Sequence, residues 1–217
     1  MEGIVGRLGW KSFYRRNLPH IQLPGCTLFV TFRLAGSIPA EAAQSLIAEG
    51  RRVDAALARI ADLGERERRR SLEQRRLFGK WDAALDTAAV GPLWLGDPGI
   101  AALMADCLQY RDGRVYDLDA YCIMPNHVHL VCTPLVKEGD NYYSISSIMH
   151  SLKGYVARQA NVLLGREGAF WQHENYDHVV RDEGEWQRIV YYVLDNPVKA
   201  GLVQTWRDWK WSYCKQL

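Results

Sequence analysis

Two neighbouring segments decide the fold of this chain: VYDLDAYCIM (115–124) and HVHLVCTPL (127–135). Both are rich in β-branched and aromatic residues, which favour strands. Only Pro125 and Asn126 separate them, and these residue types favour a turn. The sequence therefore predicts two consecutive antiparallel strands joined by a tight corner.

A pair of histidines, His127 and His129, lies at the start of the second strand. Side chains two residues apart share one face of a strand, so both imidazoles point one way while Val128, Leu130 and Cys132 point to the core. Two imidazoles side by side offer a metal ion two nitrogen ligands, or a phosphate two donors. Such pairs also occur without a chemical role, but a strand with one apolar face and two histidines on the other favours a site.

The rest of the chain reads as further strands and helices around this pair. The segment CTLFVTFRL (26–34) predicts a strand, and 169–172 and 177–180 predict short strand or loop pieces. Helical spacing and capping residues predict helices over 39–62, from Asp97-Pro98 to about Tyr110, from Ser144 to about Leu164, and from Glu183 to Asn196, where Pro197 stops the last helix.

This order of elements predicts an α+β fold of one domain, 1–217. We expect a ferredoxin-like sandwich, with a central antiparallel sheet and helices on one face. Residues 1–25 are basic and turn-rich and predict an arm. Residues from about 40 to 95 predict a helical insertion with a charged face.

Composition places few limits on function. The chain has 217 residues and a net charge of +2, so its overall charge does not demand a nucleic-acid partner. Between Arg51 and Lys80, however, basic residues outnumber acidic ones by ten to five. Such a stretch either binds phosphates or forms a solvated helix face.

The cysteines and the apolar runs indicate the compartment. The five cysteines form no CxxC motif, which favours free thiols in a reducing compartment. The first residues lack the apolar stretch of a signal peptide, and no apolar run is long enough to span a membrane. We therefore expect a cytoplasmic protein without a membrane partner.

The last predicted helix carries a polar stripe along the edge of its apolar face. Tyr192 and Asn196 are four residues apart on this stripe, so the phenol and the amide are neighbours. Taken alone, they describe a half-exposed tyrosine on an amphipathic helix that ends before Pro197.

Taken together, MPNHVHLV (124–131) and YVLDNPVKAGLV (192–203) resemble the single-tyrosine HUH transposases, and most of all their REP-associated branch. Further segments look similar to that branch: LPH (18–20), VTFRLAGSIP (30–39), SIMHSLKGYVARQAN (147–161) and FWQHENYDHVVRD (170–182). The likeness is weakest between about 50 and 95.

The resemblance implies a role for each matching residue. The HUH pair falls on His127 and His129, the nucleophile on Tyr192, and the polar residue that completes the metal site on Asn196. Two imidazoles and one amide are a neutral ligand set that suits weakly bound Mg²⁺ or Mn²⁺. Attack by Tyr192 on a phosphodiester would leave a 5′-phosphotyrosine and a free 3′-OH, so the chain would nick and rejoin single-stranded DNA.

The resemblance also implies the DNA partner. Relatives of this branch act on palindromic repeats, so the substrate would be single-stranded or hairpin DNA of repetitive palindromic elements, bound by a monomer or weak dimer. Cationic side chains offer phosphate contacts and aromatic ones offer base stacking. The candidates are Arg15, Arg16, Lys153, Arg158, Arg181, Trp171 and Tyr176.

Three alternatives stay open from the sequence. Tyr176 is a second possible nucleophile, although Val180 stands where an amide partner would be needed. The chain could be a metallophosphoesterase that activates water. It could also be a DNA-hairpin-binding protein of the same fold that does not cut.

Overall fold

A computed structural model describes residues 25–86, 91–138 and 141–216, together with the backbone of 14–15 and 19–20. The helices are α1 (Ala40–Ala58), α2 (Leu63–Asp86), α3 (Pro98–Arg111), α4 (Ile145–Leu163) and α5 (Glu183–Lys199). The strands are β1 (Tyr14–Arg15), β2 (Pro19–His20), β3 (Leu28–Leu34), β4 (Tyr116–Ile123), β5 (His127–Pro134), β6 (Val136–Glu138), β7 (Asn141–Tyr142), β8 (Trp171–Val179) and β9 (Ser212–Cys214).

The central sheet has five strands in the order β8-β3-β5-β4-β9. Every neighbouring pair in it is antiparallel. The histidine strand β5 is in the middle, and His129 faces Thr31 on β3 and Cys122 on β4. The predicted α+β fold with a central antiparallel sheet is confirmed.

The two faces of the sheet carry separate cores. Helices α3 and α4 pack on the face of β5 that carries Val128 and Leu130. Helix α5 packs on the opposite face, where Val193 and Leu194 contact Val131. The arrangement of the helices thus differs from the prediction of one covered face, because α5 buries its own apolar stripe against the face that carries the histidines.

Helices α1 and α2 occupy the segment in which the sequence predicted a helical insertion. They pack against each other, and Glu49 of α1 accepts from Arg76 and Lys80 of α2. Many of the charges on α2 pair within the helix, as Glu65 does with Arg68 and Arg69. Only three residues of α2 are buried: Ser71, Asp82 and Leu85.

Two predictions near the carboxyl terminus were wrong in detail. The segment predicted as two short pieces is the single strand β8, which pairs along β3 with an irregular register between Phe32 and Leu34. Helix α5 continues through Pro197 to Lys199. Proline has a helical φ and removes only one hydrogen bond in the last turn of a helix, so the helix does not end there.

Most of the predicted amino-terminal arm lies outside the described residues; within it, β1 and β2 pair with each other. In the part of the chain that the structure describes, no helix combines the length and apolar character needed to cross a bilayer.

Candidate active site

The two histidines lie side by side in the centre of the sheet. His127 and His129 are both fully buried, on the face of β5 that α5 covers. Their Nε2 atoms are 3.0 Å apart, so the two imidazoles converge on one point. Burial lowers the pKa of each imidazole to about 3, with His129 adding to the shift of His127 and Lys199 to that of His129. Both rings are therefore neutral at pH 7, as metal ligation requires.

Hydrogen bonds to the far ring nitrogens orient both imidazoles. Asn126 donates from Nδ2 to the carbonyl of Leu85 at 2.9 Å, which turns its Oδ1 toward His127 Nδ1 at 2.6 Å. His127 Nδ1 must then carry the proton, and its Nε2 presents a lone pair to the site. His129 Nδ1 lies 2.8 Å from the hydroxyl of Thr31, which is able to donate or accept.

A carboxylate from α2 completes this cluster. Asp82 is buried, and its Oδ1 lies 3.4 Å from His129 Nε2. Because His129 is neutral, this contact is not a pair of opposite charges. One ligand atom from each of Asp82, His127 and His129 lies within 4.8 Å of the other two. This buried cluster could hold a metal ion.

The phenol of Tyr192 joins the same cluster from α5. Its hydroxyl donates to Asp82 Oδ2, and its ring lies 5.6 Å from the His129 ring, centroid to centroid. Burial, followed by the charge of Asp82, raises the pKa of Tyr192 above its ordinary value. The Lys199 ammonium lies 4.3 Å from the centre of the phenol ring. The phenol is therefore protonated at rest, between an acceptor and a cation.

Asn196 is the other polar group of α5 at this point. It is fully buried one turn after Tyr192, and it is close enough to His127 and Tyr192 to shift the pKa of both. Yet neither atom of its amide has a hydrogen bond of good geometry among the described residues. A buried amide without partners costs about 1–3 kcal/mol, which a ligand would offset.

The unsatisfied atoms fit a divalent cation. Asp82 Oδ1 and the Asn196 amide both lack hydrogen bonds among the described residues, and they flank two neutral imidazoles. Carboxylate and amide oxygens with imidazole nitrogens are ligands that Mg²⁺ and Mn²⁺ accept. The carboxylate makes this set anionic, whereas the set inferred from the sequence was neutral.

Sequence reasoning missed Asp82, Thr31 and Lys199. Asp82 stands in a strongly charged segment and more than forty residues before the histidines. One indication was available: Asp82 lies four residues after Phe78 and three before Leu85, on an apolar stripe of α2 where an acid needs a partner.

The predicted DNA-binding cations lie at different places. Lys153 donates to the carbonyls of Gln172 and His173 and to the Asn175 side chain, so it secures the irregular part of β8. Arg158 is exposed on α4, and Arg181 is exposed and donates to Ser71. The side chains of Arg15 and Arg16 lie outside the described residues. Contact with DNA stays a prediction for all five.

The two predicted stacking residues lie on opposite faces of the sheet. Trp171 is only 8% exposed and packs against Phe32 and Phe170 in the core under α4, which leaves little of its ring for a base. Tyr176 faces Thr31 on the histidine face and stacks on Phe78. Tyr192, unlike Tyr176, is hydrogen-bonded to the cluster, which favours it as the nucleophile.

Comparison with known proteins agrees with this geometry. Residues 104–196 match the family described as IS200-like transposases. That segment contains both histidines, Tyr192 and Asn196, and ends before Lys199; Asp82 lies outside it. Over this segment the chain is therefore similar to IS200-like transposases.

The relatives narrow the resemblance further. The chain is 31% identical over 106 residues to a Haemophilus influenzae protein assigned to the REP-associated tyrosine transposases, and 27% identical over 105 residues to the REP-associated tyrosine transposase of Escherichia coli K12. These matches cover 45% and 48% of this chain and 58% of each relative. The resemblance to the REP-associated branch is confirmed, over little more than half the length of the relatives.

A solved structure is similar over most of the fold. A REP-associated tyrosine transposase bound to a REP hairpin superposes with a TM-score of 0.50 and 19% identity, covering 93% of this chain and 82% of the other. At this identity the match supports the fold.

Proposed function

We propose that the chain is a metal-dependent single-stranded DNA endonuclease and strand transferase that acts on hairpin DNA. One observation carries the proposal: the Tyr192 hydroxyl, the Asp82 carboxylate and two neutral imidazoles meet in one buried cluster. The name of the solved neighbour, which is bound to a REP hairpin, supports palindromic repeat DNA as the substrate.

The protein residues divide the chemistry between them. His127, His129, Asp82 and Asn196 would hold Mg²⁺ or Mn²⁺, which when bound polarises a phosphate and neutralises its charge. Tyr192 Oη attacks the phosphorus, and its proton passes to Asp82 Oδ2, which already accepts its hydrogen bond. The bond from phosphorus to the 3′-oxygen breaks, and that oxygen takes a proton. The products are a 5′-phosphotyrosine and a free 3′-OH.

The covalent product allows rejoining. The phosphotyrosine retains the energy of the broken phosphodiester, so a 3′-OH that attacks it restores a DNA strand without an external energy source. Lys199 places a positive charge beside the phenol, where negative charge develops when it leaves. Because all these groups come from one chain, a monomer has a complete site.

The test is a denaturing gel of hairpin oligonucleotides, labelled at either end and incubated with the protein and Mn²⁺. We expect a protein–DNA adduct that carries the 3′-labelled fragment and a free 5′-labelled fragment with an extendable 3′-OH. Tyr192→Phe should abolish the adduct. Tyr191→Phe is the matched control, because the neighbouring Tyr191 is 61% exposed.

Other outcomes identify the alternatives. Cleavage without an adduct that survives Tyr192→Phe would indicate a phosphoesterase that uses water. Loss of the adduct in Tyr176→Phe rather than Tyr192→Phe would make Tyr176 the nucleophile. Metal-independent hairpin binding without cleavage would indicate a DNA-binding protein that does not cut.

A further inference from the structure

A cavity of about 230 Å³ lies between the α1–α2 pair and the edge of the sheet formed by β3 and β8. It is on the histidine face, because Thr31 and Tyr176, which pair across the two strands, both line it. Asp82 is part of its wall. The cavity thus adjoins the catalytic cluster, although none of the chemistry described above uses it.

Aromatic and apolar side chains form about half of this wall, and polar ones, the acid Glu174 among them, form much of the rest. Phe78 and Trp81 come from α2, and Tyr176 from β8. Phe78 and Tyr176 stack with their ring centres 4.4 Å apart. Leu46 and Ile47 of α1 close the other side. Flat rings beside an apolar wall accept a planar, weakly polar group.

Polar groups stand at the edge of the cavity. The Arg33 guanidinium lies 5.5 Å from the centre of the Trp81 ring, and Gln172 also lines the space. A guanidinium offers donors and an amide offers both donors and acceptors. The cavity is smaller than the roughly 300–1,000 Å³ of pockets for drug-sized ligands, so it suits a single ring system with polar edges.

We infer that this cavity binds one unpaired nucleobase of the DNA strand whose phosphate lies at Asp82 and the histidines. The inference rests on the proposed function, because it takes the phosphate position from it. A nucleobase is planar, has donors and acceptors on its edge, and is joined to its phosphate by a short linker. Stacked on Trp81 or Tyr176, it would fix which phosphodiester reaches Tyr192. The α1–α2 pair would thereby select the cleavage position.

The experiment measures binding of hairpin oligonucleotides with single-stranded 5′ and 3′ flanks to the Tyr192→Phe protein, which cannot form the adduct. An abasic site replaces each flank nucleotide in turn. We expect one position at which base loss weakens binding about 5- to 150-fold, since stacking of one base contributes about 1–3 kcal/mol. 2-Aminopurine at that position should lose fluorescence on binding.

Two variants of the cavity should make binding insensitive to the loss of that base. Trp81→Leu takes away a stacking surface, and Leu46→Trp fills the cavity from α1, away from Asp82. Tyr110→Leu is the matched control, because Tyr110 is 64% exposed on α3 and stacks only with Arg114 among the contacts found for its ring. The inference would be overturned if base loss weakened binding equally in both cavity variants and in the Tyr192→Phe protein. It would also be overturned if base loss at no position weakened binding to the Tyr192→Phe protein itself.

These results separate the two proposals. Adduct formation by the unaltered chain together with a flat abasic profile would keep the proposed function and overturn the base pocket. The opposite result is also possible: base loss at one position weakens binding, both cavity variants remove this effect, and the unaltered chain never forms an adduct. That result would keep the base pocket and overturn the proposed function.

Discussion

Each carboxylate oxygen of Asp82 has its own neighbour. Oδ1 faces the Nε2 atom of His129, and Oδ2 accepts from the hydroxyl of Tyr192. One side chain is therefore placed to bind a cation with one oxygen and to receive the phenolic proton with the other. The burial of Asp82 fixes this division, because a side chain that is 8% exposed has little freedom to rotate.

Asp82→Asn should lower the rate of adduct formation about 10²- to 10⁴-fold, the usual effect of losing a general base. The amide keeps the shape of the carboxylate but has neither its charge nor its basicity. Single-turnover cleavage of a hairpin oligonucleotide with Mn²⁺ measures the effect. Glu73→Gln, on the same helix and paired with Arg76, should cleave at the normal rate. A normal rate for Asp82→Asn would remove Asp82 from the mechanism.

At the scale of elements, α2 depends on very few buried contacts. Of its 24 residues only Ser71, Asp82 and Leu85 are buried. Leu85 lies almost one turn after Asp82, and its carbonyl accepts from Asn126, which orients His127. The same end of the helix therefore supplies Asp82, a candidate metal ligand, and supports the imidazole of His127, another candidate.

Leu85→Ala should lower both the stability of the protein and its affinity for Mn²⁺. Removing a buried leucine side chain costs about 2–5 kcal/mol, and the cavity left at Leu85 would let the end of α2 move. Leu57→Ala is the control, since Leu57 is similarly buried and its helix, α1, supplies none of the ligand atoms of the cluster among the described residues. Urea unfolding and a Mn²⁺ titration followed by electron paramagnetic resonance measure the two effects. Equal Mn²⁺ affinities in the two variants would contradict the expectation.

For the molecule as a whole, a second acid beside the candidate site makes the stability of the fold depend on pH. Asp86 lies one turn after Asp82, and its Oδ1 is buried without a hydrogen bond among the described residues. Burial, followed by the charge of Asp82, raises the pKa of Asp86 to about 6. Well below the ordinary aspartate pKa of 3.8, Asp86 is neutral in both the folded and the unfolded state, so it has no effect on stability there. As the pH rises toward 6 the unfolded chain releases the proton first, and stability falls.

Asp86→Asn should therefore raise the melting temperature at pH 7–8 and change it little at pH 4. The gain should develop between about pH 4 and 6 and stay constant above. Differential scanning calorimetry of both proteins in buffer with a chelator measures it. A gain of the same size at pH 4 and pH 8 would show that the charge of Asp86 is not its cause.

The sequence allowed much of the sheet and half of the site to be predicted. Alternation along 127–135 placed His127 and His129 on one face, and helical spacing made Tyr192 and Asn196 neighbours, because both rules act over a few residues. Asp82 is joined to them by tertiary packing alone. In a segment dominated by surface charge, its place on one stripe with Phe78 and Leu85 is a weak sign of burial, and no short-range pattern shows which residues it meets.

The layering of the helices could not be predicted for a similar reason. A period of 3.6 residues shows that α4 and α5 each bury an apolar stripe, but not which face of the sheet receives it. The histidines belong to the same problem: two imidazoles on one face predict a polar, exposed face, whereas both are fully buried under the helices.

The position of Asp82 on α2 has a consequence for how such proteins diversify. The stretch that matches the IS200-like transposases, 104–196, contains Tyr192 and the histidines but not this acid. Recombination that exchanged only that stretch between two relatives would separate the phenol from its proton acceptor. On the proposed mechanism, such a hybrid should therefore cleave only if it also keeps an α2 that supplies this acid.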